Sequence, residues 1–148
     1  DNVTIPPVRG TLFEALVKVG TVTTAQRVVI GLCTAYNATW DSIAEMAWFR
    51  LEASLALLAE ADDATTDTDD QSLGKTLTAD TYYLFRIDVS DNGAIEFYVD
   101  DSLLGTISAP ALVSTMLMQP ICAIQKASGT GAVAITVDML RGLNTRNA

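Results

Sequence analysis

Apolar and more polar residues alternate along much of the chain, with the period of strands that bury one face. The pattern is cleanest from Thr81 to Thr106. Tyr83, Phe85, Ile87 and Val89 form one apolar set, and Ile95, Phe97 and Val99 the next. Ser90-Asp91-Asn92-Gly93 and Asp100-Asp101-Ser102 lie between and after them, and these residue types tolerate the positive φ of tight turns. The segment therefore predicts three consecutive antiparallel strands. Thr11 to Val19 predicts another, with Phe13, Ala15 and Val17 on one side and Glu14, Leu16 and Lys18 on the other. Arg27 to Cys33 is an apolar run rich in β-branched residues and predicts a second strand.

Other stretches are less regular. Tyr36 to Glu45 reads as a loop with a short helical turn, Ser42 and Glu45 matching a capping box. For Ala44 to Glu60, propensity alone leaves helix and strand level. The Ala, Leu and Met content favours a helix. Yet Trp48-Phe49-Arg50-Leu51-Glu52 alternates, and the neighbouring strands favour a hairpin turning near Ala53-Ser54. Asp62 to Asp70 reads as an acidic loop and Ser72 to Thr78 as a strand. Ala111 to Met118 reads as a helical turn or covering loop, with Met116 and Met118 filling gaps. Pro120–Lys126 and Ala132–Leu140 are expected to pair as a hairpin across Ala127-Ser128-Gly129-Thr130-Gly131. About eight to ten short strands at this spacing predict an all-β fold, an antiparallel β-sandwich with one short helical turn.

The length of 148 residues fits one domain, with residues 1–10 as an extended arm and 143–148 as a polar tail. The chain opens on Asp1 without a basic or apolar leader, and a piece of a longer polypeptide is the favoured reading. Eighteen acids against nine scattered bases give a net charge of −9, which disfavours nucleic acid and anionic membrane as partners. No apolar run is long enough to span a bilayer as a helix. Histidine is absent, which removes Ser-His-Asp and Cys-His machinery and His-ligated metals, and leaves carboxylate-only chemistry. Cys33 and Cys122 read as two buried thiols of a protein assembled in a reducing cytoplasm; a disulfide between them is the alternative.

Phe97-Tyr98-Val99-Asp100-Asp101-Ser102 resembles the "FYVDG" hairpin of concanavalin A-like lectin/glucanase jelly rolls, with Asp101 in place of the turn glycine. Three blocks resemble a lectin-like domain of tailed-bacteriophage structural proteins. They are Ala35–Thr39 with Ala47–Glu52, then Leu58–Asp70, then Gln119-Pro120 with Gln125–Thr130. The likeness runs from Phe13 to Val137. It implies a concanavalin A-like jelly roll that lacks the N-terminal strands usual before Leu12, which would leave one sheet edge open. It also implies a non-enzymatic virion protein, assembled in the host cytoplasm, that decorates or cements a capsid or forms part of a tail. Its partners would be the major capsid protein, other virion proteins or sister copies, with a homo-trimer as the preferred assembly. The alternative is a carbohydrate-binding module for host attachment.

Glucanases of this fold carry acids as Glu-x-Asp-x-x-Glu on one strand; Glu52 and Glu60 are read as standing singly, so no catalytic residue and no cofactor are assigned. A decayed hydrolase acting on β-glucan through Glu52 is the third possibility. Asp63, Asp67 and Asp69 are the calcium candidates of an otherwise solvated acidic loop that lacks the EF-hand Gly and terminal Glu. Tyr36, Trp40 and Tyr82 are the candidate glycan or partner contacts, Trp40 being the more exposed as a loop residue, while Trp48 is expected to be packed.

Overall fold

The computed structural model describes residues 10–89, 93–109, 112 and 117–142. Ten strands follow in order: β1 (Gly10–Val19), β2 (Gln26–Cys33), β3 (Glu45–Leu51), β4 (Ala56–Asp63), β5 (Asp67–Thr76), β6 (Tyr82–Val89), β7 (Ile95–Val99), β8 (Ser102–Ile107), β9 (Gln119–Lys126) and β10 (Ile135–Gly142). They form two antiparallel five-stranded sheets, with orders β10-β1-β6-β7-β8 and β5-β4-β3-β2-β9. β10 lies over β9, β1 over β2 and β8 over β5, so the sheets stack in matching order as a jelly-roll sandwich. Among the described residues no helix is long and apolar enough to cross a membrane.

Period-2 alternation builds the interior. Phe13, Ala15 and Val17 of β1 and Phe85 and Ile87 of β6 meet Val28, Ile30 and Leu32 of β2 and Phe49 and Leu51 of β3. Phe49 reaches across the interface to Phe85 and Phe97, with both ring centroids 5.1 Å away and near edge-to-face. The meander β6-β7-β8 forms as its alternation predicts. Its first turn, at 90–92, lies outside the described residues. Its second places Asp100 (φ 51°) and Asp101 (φ 62°) in the left-handed region, the two-residue turn whose twist suits a hairpin. Asp100 accepts from Leu84 N (3.0 Å) and Asp101 pairs with Arg86 (2.9 Å), so each aspartate ties the turn to β6. These bonds help offset the cost of a non-glycine there.

Ala44–Glu60 is a hairpin: β3 and β4 join through Glu52–Leu55, closed by Leu55 N donating to Glu52 O (2.8 Å). Leu55 adopts φ 56° while its side chain enters the core. Several expectations need correction. The helical turn is a 3-10 turn at Trp40–Ser42 preceded by Thr39, and Glu45 is already in β3, so Ser42 and Glu45 form no capping box. Asp62–Asp70 is mostly strand: β4 and β5 turn tightly at 64–66, and β5 begins at Asp67. β9 and β10 do not pair. β9 joins β2 in one sheet and β10 joins β1 in the other, so residues 127–134 cross between sheets. β1 is not an open edge, because β10 and β6 flank it. Of Ala111–Met118, Leu112 and Met118 are buried, Leu117 is exposed, and the others, Met116 included, lie outside the described residues.

The four edges are blunted against strand addition. β9 carries Pro120, which has no N–H to offer. β10 bulges opposite Leu16/Val17, beside Asp138. β5 has left-handed residues at Asp70 and Gly74 and breaks in register with β4. β8 is tied to β5 by Thr68 Oγ1 donating to Ala109 O (2.7 Å) and by Gln71 Nε2 donating to Thr106 O (3.4 Å).

Both cysteines are free thiols. Cys122 pairs with Ile30 in register and faces the main core, whereas Cys33, three residues on, points to the opposite side of the same sheet. A bond between them would have to pass through the sheet. Burial pushes each thiol from an ordinary 9.0 up to about 11. The folded state then keeps these protons longer than the unfolded chain, so stability falls as pH rises from 9.0 through about 11. The loss is at most about 3 kcal/mol per thiol. Denaturant titrations across that range are expected to slope less steeply for Cys33→Ala/Cys122→Ala; an unchanged slope would assign the alkaline loss to other groups.

Candidate functional site

Alternation that buries Ala47, Phe49 and Leu51 of β3 and Leu57, Ala59 and Ala61 of β4 must turn their neighbours outward. The outer face of this sheet therefore carries Met46, Trp48 and Arg50 beside Leu58, Glu60 and Asp62, with Arg27, Val29, Gly31 and Cys33 on β2. Half of this face is not open. The 34–44 loop folds over it and packs Trp40 and Ile43 onto Val29, Cys33, Met46, Trp48 and Ile121, a second core outside the sandwich. Trp40 and Trp48 lie 6.0 Å apart. Gly31 leaves the space that Trp48 fills: a Cβ there would sit 2.4 Å from Ala47 O and 2.5 Å from Trp48 Cα, so only glycine fits.

Next to this apolar half stands a buried charge network. Glu60, 3% exposed, accepts from Trp48 Nε1 through Oε2 (2.7 Å) and from Arg50 Nη1 through Oε1. Arg50, 8% exposed, also contacts Glu52 and lies 3.0 Å from Asp70. Asp70 reaches it because its left-handed backbone sits where β5 falls out of register with β4. Glu52 in turn lies 3.5 Å from Arg27 Nε. Burial pushes the Glu60 carboxyl above its usual range, with the Trp48 N–H and the Arg50 guanidinium pulling the other way. Burial works against the charge of Arg50, but its carboxylate partners hold its pKa above the ordinary value.

Glu60 does not stand alone as the sequence reading had it. Glu60 and Asp62 are two apart on β4 and share the outer face, so the first half of Glu-x-Asp-x-x-Glu is present, and Thr65 occupies the third place. The pair is nonetheless engaged: both Glu60 oxygens are hydrogen-bonded, and Asp62 accepts from Ala64 N (2.7 Å) in its own turn.

The network ends at an open cavity of about 410 Å³ lined by Thr24, Arg27, Ala38, Gln125 and Lys126 among others. Arg27 and Gln125 are cross-strand partners. Gln125 Nε2 donates to Ala38 O (3.0 Å), anchoring the covering loop to β9. Buried Gln26 accepts from Thr23 N (3.2 Å) and donates to Gly131 O (2.8 Å), which holds the turn before β2 against the loop after β9.

The predicted contact residues do not assemble into one platform. Tyr36 is 62% exposed on the covering loop, but Trp40 is 4% exposed and belongs to the second core. The expectation that Trp40 is the exposed one is thus corrected: the 3-10 turn aims its ring at the sheet. Tyr82 is 43% exposed on the outer face of the other sheet, with Lys18 Nζ 5.2 Å from its ring. Asp63, Asp67 and Asp69 do not converge. Asp63 spends Oδ1 on Thr65 N, Thr65 Oγ1 and Thr66 N, and among the described residues no three His, Cys, Asp or Glu side chains are grouped to hold a metal ion. Arg50, Arg27 and Gln125 were not singled out, and Glu60 was named only as an isolated acid. Their signal was polar residues at the outward positions of otherwise apolar strands.

No protein-family model matches the sequence, and no curated protein matches it either. Solved structures do match in shape. The galectin LEC-6 of Caenorhabditis elegans superposes with a TM-score of 0.55 at 12% identity, over 93% of this chain and 91% of that one. A family 16 glycoside hydrolase of Bacteroides ovatus, in complex with a mixed-linkage glucan product, gives 0.63 at 9% identity, over 92% and 70%. The fold is a concanavalin A-like sandwich. The carbohydrate-binding module CBM66 of Bacillus subtilis also matches, at 0.51 and 7% identity over 90% and 74%. Identities this low establish shared architecture only, and lectins and hydrolases both use it.

Proposed function

We propose that this chain is a non-catalytic, lectin-like recognition module of a tailed-phage virion, working by contact with a saccharide. The observation that carries the non-catalytic half is the engagement of Glu60. General acid–base chemistry needs a carboxyl whose oxygens reach substrate. Here Arg50 and Trp48 occupy both, beneath a face half covered by Trp40. The open cavity beside that face supports binding, as does the likeness in fold to a galectin and to a carbohydrate-binding module. The virion placement rests on the three sequence blocks named above.

A second reading, a capsid decoration or cementing protein, draws on Leu103, Leu117, Val137 and Leu140, all large apolar residues left exposed. With every edge blunted, such contact would use faces and loops rather than strand addition. One experiment separates the readings: the purified chain is presented to a glycan array and, in parallel, to mixed-linkage β-glucan with reducing ends assayed. Saturable binding without new reducing ends is expected. Turnover abolished by Glu60→Gln would overturn the non-catalytic reading. Silence on the array, together with increased heat resistance of particles carrying the chain, would favour cementing.

A further inference from the structure

The two sides of the sandwich close differently. On the β5–β8 side Leu73 is buried, and a Cβ on Gly105 would stand 2.5 Å from its Cδ2. Thr68 and Gln71 donate across the same side to Ala109 O and Thr106 O. On the other side, the side-chain bonds of β9 and β10 run away from each other, Gln125 to Ala38 and Arg141 to Glu14. Ile124 of β9 pairs with Val28, and Val137 and Leu140 of β10 pair with Val17 and Ala15. Those partners are core residues, so register points all three side chains at the interior. Yet Leu140 is 43% exposed, Val137 41% and Ile124 38%, and Leu117, just before β9, is 55% exposed. Among the described residues, four of the seven large apolar side chains left exposed thus lie on or beside one seam.

We infer that the β9–β10 seam is the contact between two copies of this chain, related by a two-fold axis. The inference goes beyond the lectin-like reading and does not depend on it. Charge selects the edge. Seventeen of the eighteen acids lie outside residues 117–142, which hold Asp138 alone, at the β10 bulge. Two copies of net charge −9 repel over most of their surfaces, so their approach is least opposed here. The opposite side carries Asp67, Asp69 and Asp70 on β5 alone. Area is sufficient as well. Strands of eight residues run about 26 Å, and an edge two sheets deep measures about 20 Å. Pairing two such edges buries on the order of 1,000 Å², the lower limit of specific interfaces. A two-fold contact sets the same strip on both copies face to face, so apolar meets apolar. An anionic membrane would need clustered bases, and the seam offers Lys126, Arg141 being held by Glu14.

The test is sedimentation equilibrium of the full chain from about 1 to about 300 µM, at about 50 and about 500 mM salt. Mass is expected to rise to that of two chains and stop there, because a two-fold contact closes. Added salt should tighten the association about twofold or more, since screening weakens the repulsion between like-charged copies. Val137→Ser and Leu140→Ser should each weaken it at least about tenfold. Leu103→Ser, at an exposed leucine on the far edge strand β8, should leave it unchanged. Dilution of the unaltered chain, followed by NMR, is expected to move the backbone amides of β9 and β10, a reading that needs no variant to fold. A chain still monomeric at about 300 µM would overturn the inference. Monomers whose seam amides resist exchange would assign the strip to a segment of the same chain instead. Growth past two chains that high salt dissolves would replace the two-fold pair with a head-to-tail contact against the acidic β5 edge. Dilution shifts confined to another surface would move the interface there and sink the seam assignment.

Discussion

Arg50→Met is expected to lower stability by about 3–5 kcal/mol at pH 7, a large part of what holds a domain this size together. The cost comes less from a lost attraction than from what remains. Glu60 is 3% exposed, and without Arg50 it keeps only the Trp48 N–H as a close partner, with Asp70 adding repulsion. Its pKa already lies above the ordinary 4.5, and removing the guanidinium raises it further. The folded state then binds a proton that the unfolded chain has released. The deficit is therefore full above the folded-state pKa and shrinks as pH falls through it towards 4.5. Urea unfolding of parent and variant across this range checks both size and slope. Arg50→Met/Glu60→Gln should recover more than half of the loss, since the amide still accepts from Trp48 and carries no charge. A double variant as unstable as the single one would show that packing, not the stranded carboxylate, sets the cost.

Phe49→Ala is expected to cost about 3–5 kcal/mol by denaturant titration. Phe49 is wholly buried and bridges the sheets through Phe85 and Phe97, both on the opposite layer. Truncation removes both ring contacts and leaves a cavity that two hydrogen-bonded sheets cannot close by moving together. Phe49→Leu, which refills most of the volume, should cost about 1.5 kcal/mol or less. A loss near that smaller figure for alanine would contradict the edge-to-face contacts that join the layers.

The two substitutions separate what local pattern reveals from what it conceals. Phe85 and Phe97 stand at alternating apolar positions of the meander, so their burial was legible residue by residue, whereas Phe49 follows an equally apolar Trp48 and its inward side was not. Arg50 and Glu60 occupy the polar positions of the same strands, where alternation predicts solvent. The covering loop and the β5 irregularity enclose them instead, and neither leaves a local signature. The same reason explains Trp40, read as exposed because it lies in a loop, and the Glu60–Asp62 juxtaposition, which the β4 register displays and a scan for the full acidic run passes over.

By itself the sequence determined most of the strands, the meander with its left-handed aspartate turn, the β3–β4 hairpin and the inward faces of β1, β6 and β7. These depend on period-2 alternation and on the φ preferences of turn residues, which neighbours along the chain decide. Only the tertiary structure decided that β9 and β10 part into different sheets, that β1 is flanked on both sides, and that Cys33 and Cys122 face opposite ways. It alone placed Trp40 over Trp48, sealed Glu60 beneath Arg50, and brought Arg27 and Lys126 to one cavity. Those outcomes depend on contacts between residues far apart in sequence, and the free energy that selects among such pairings lies in the whole packed core rather than in any one segment.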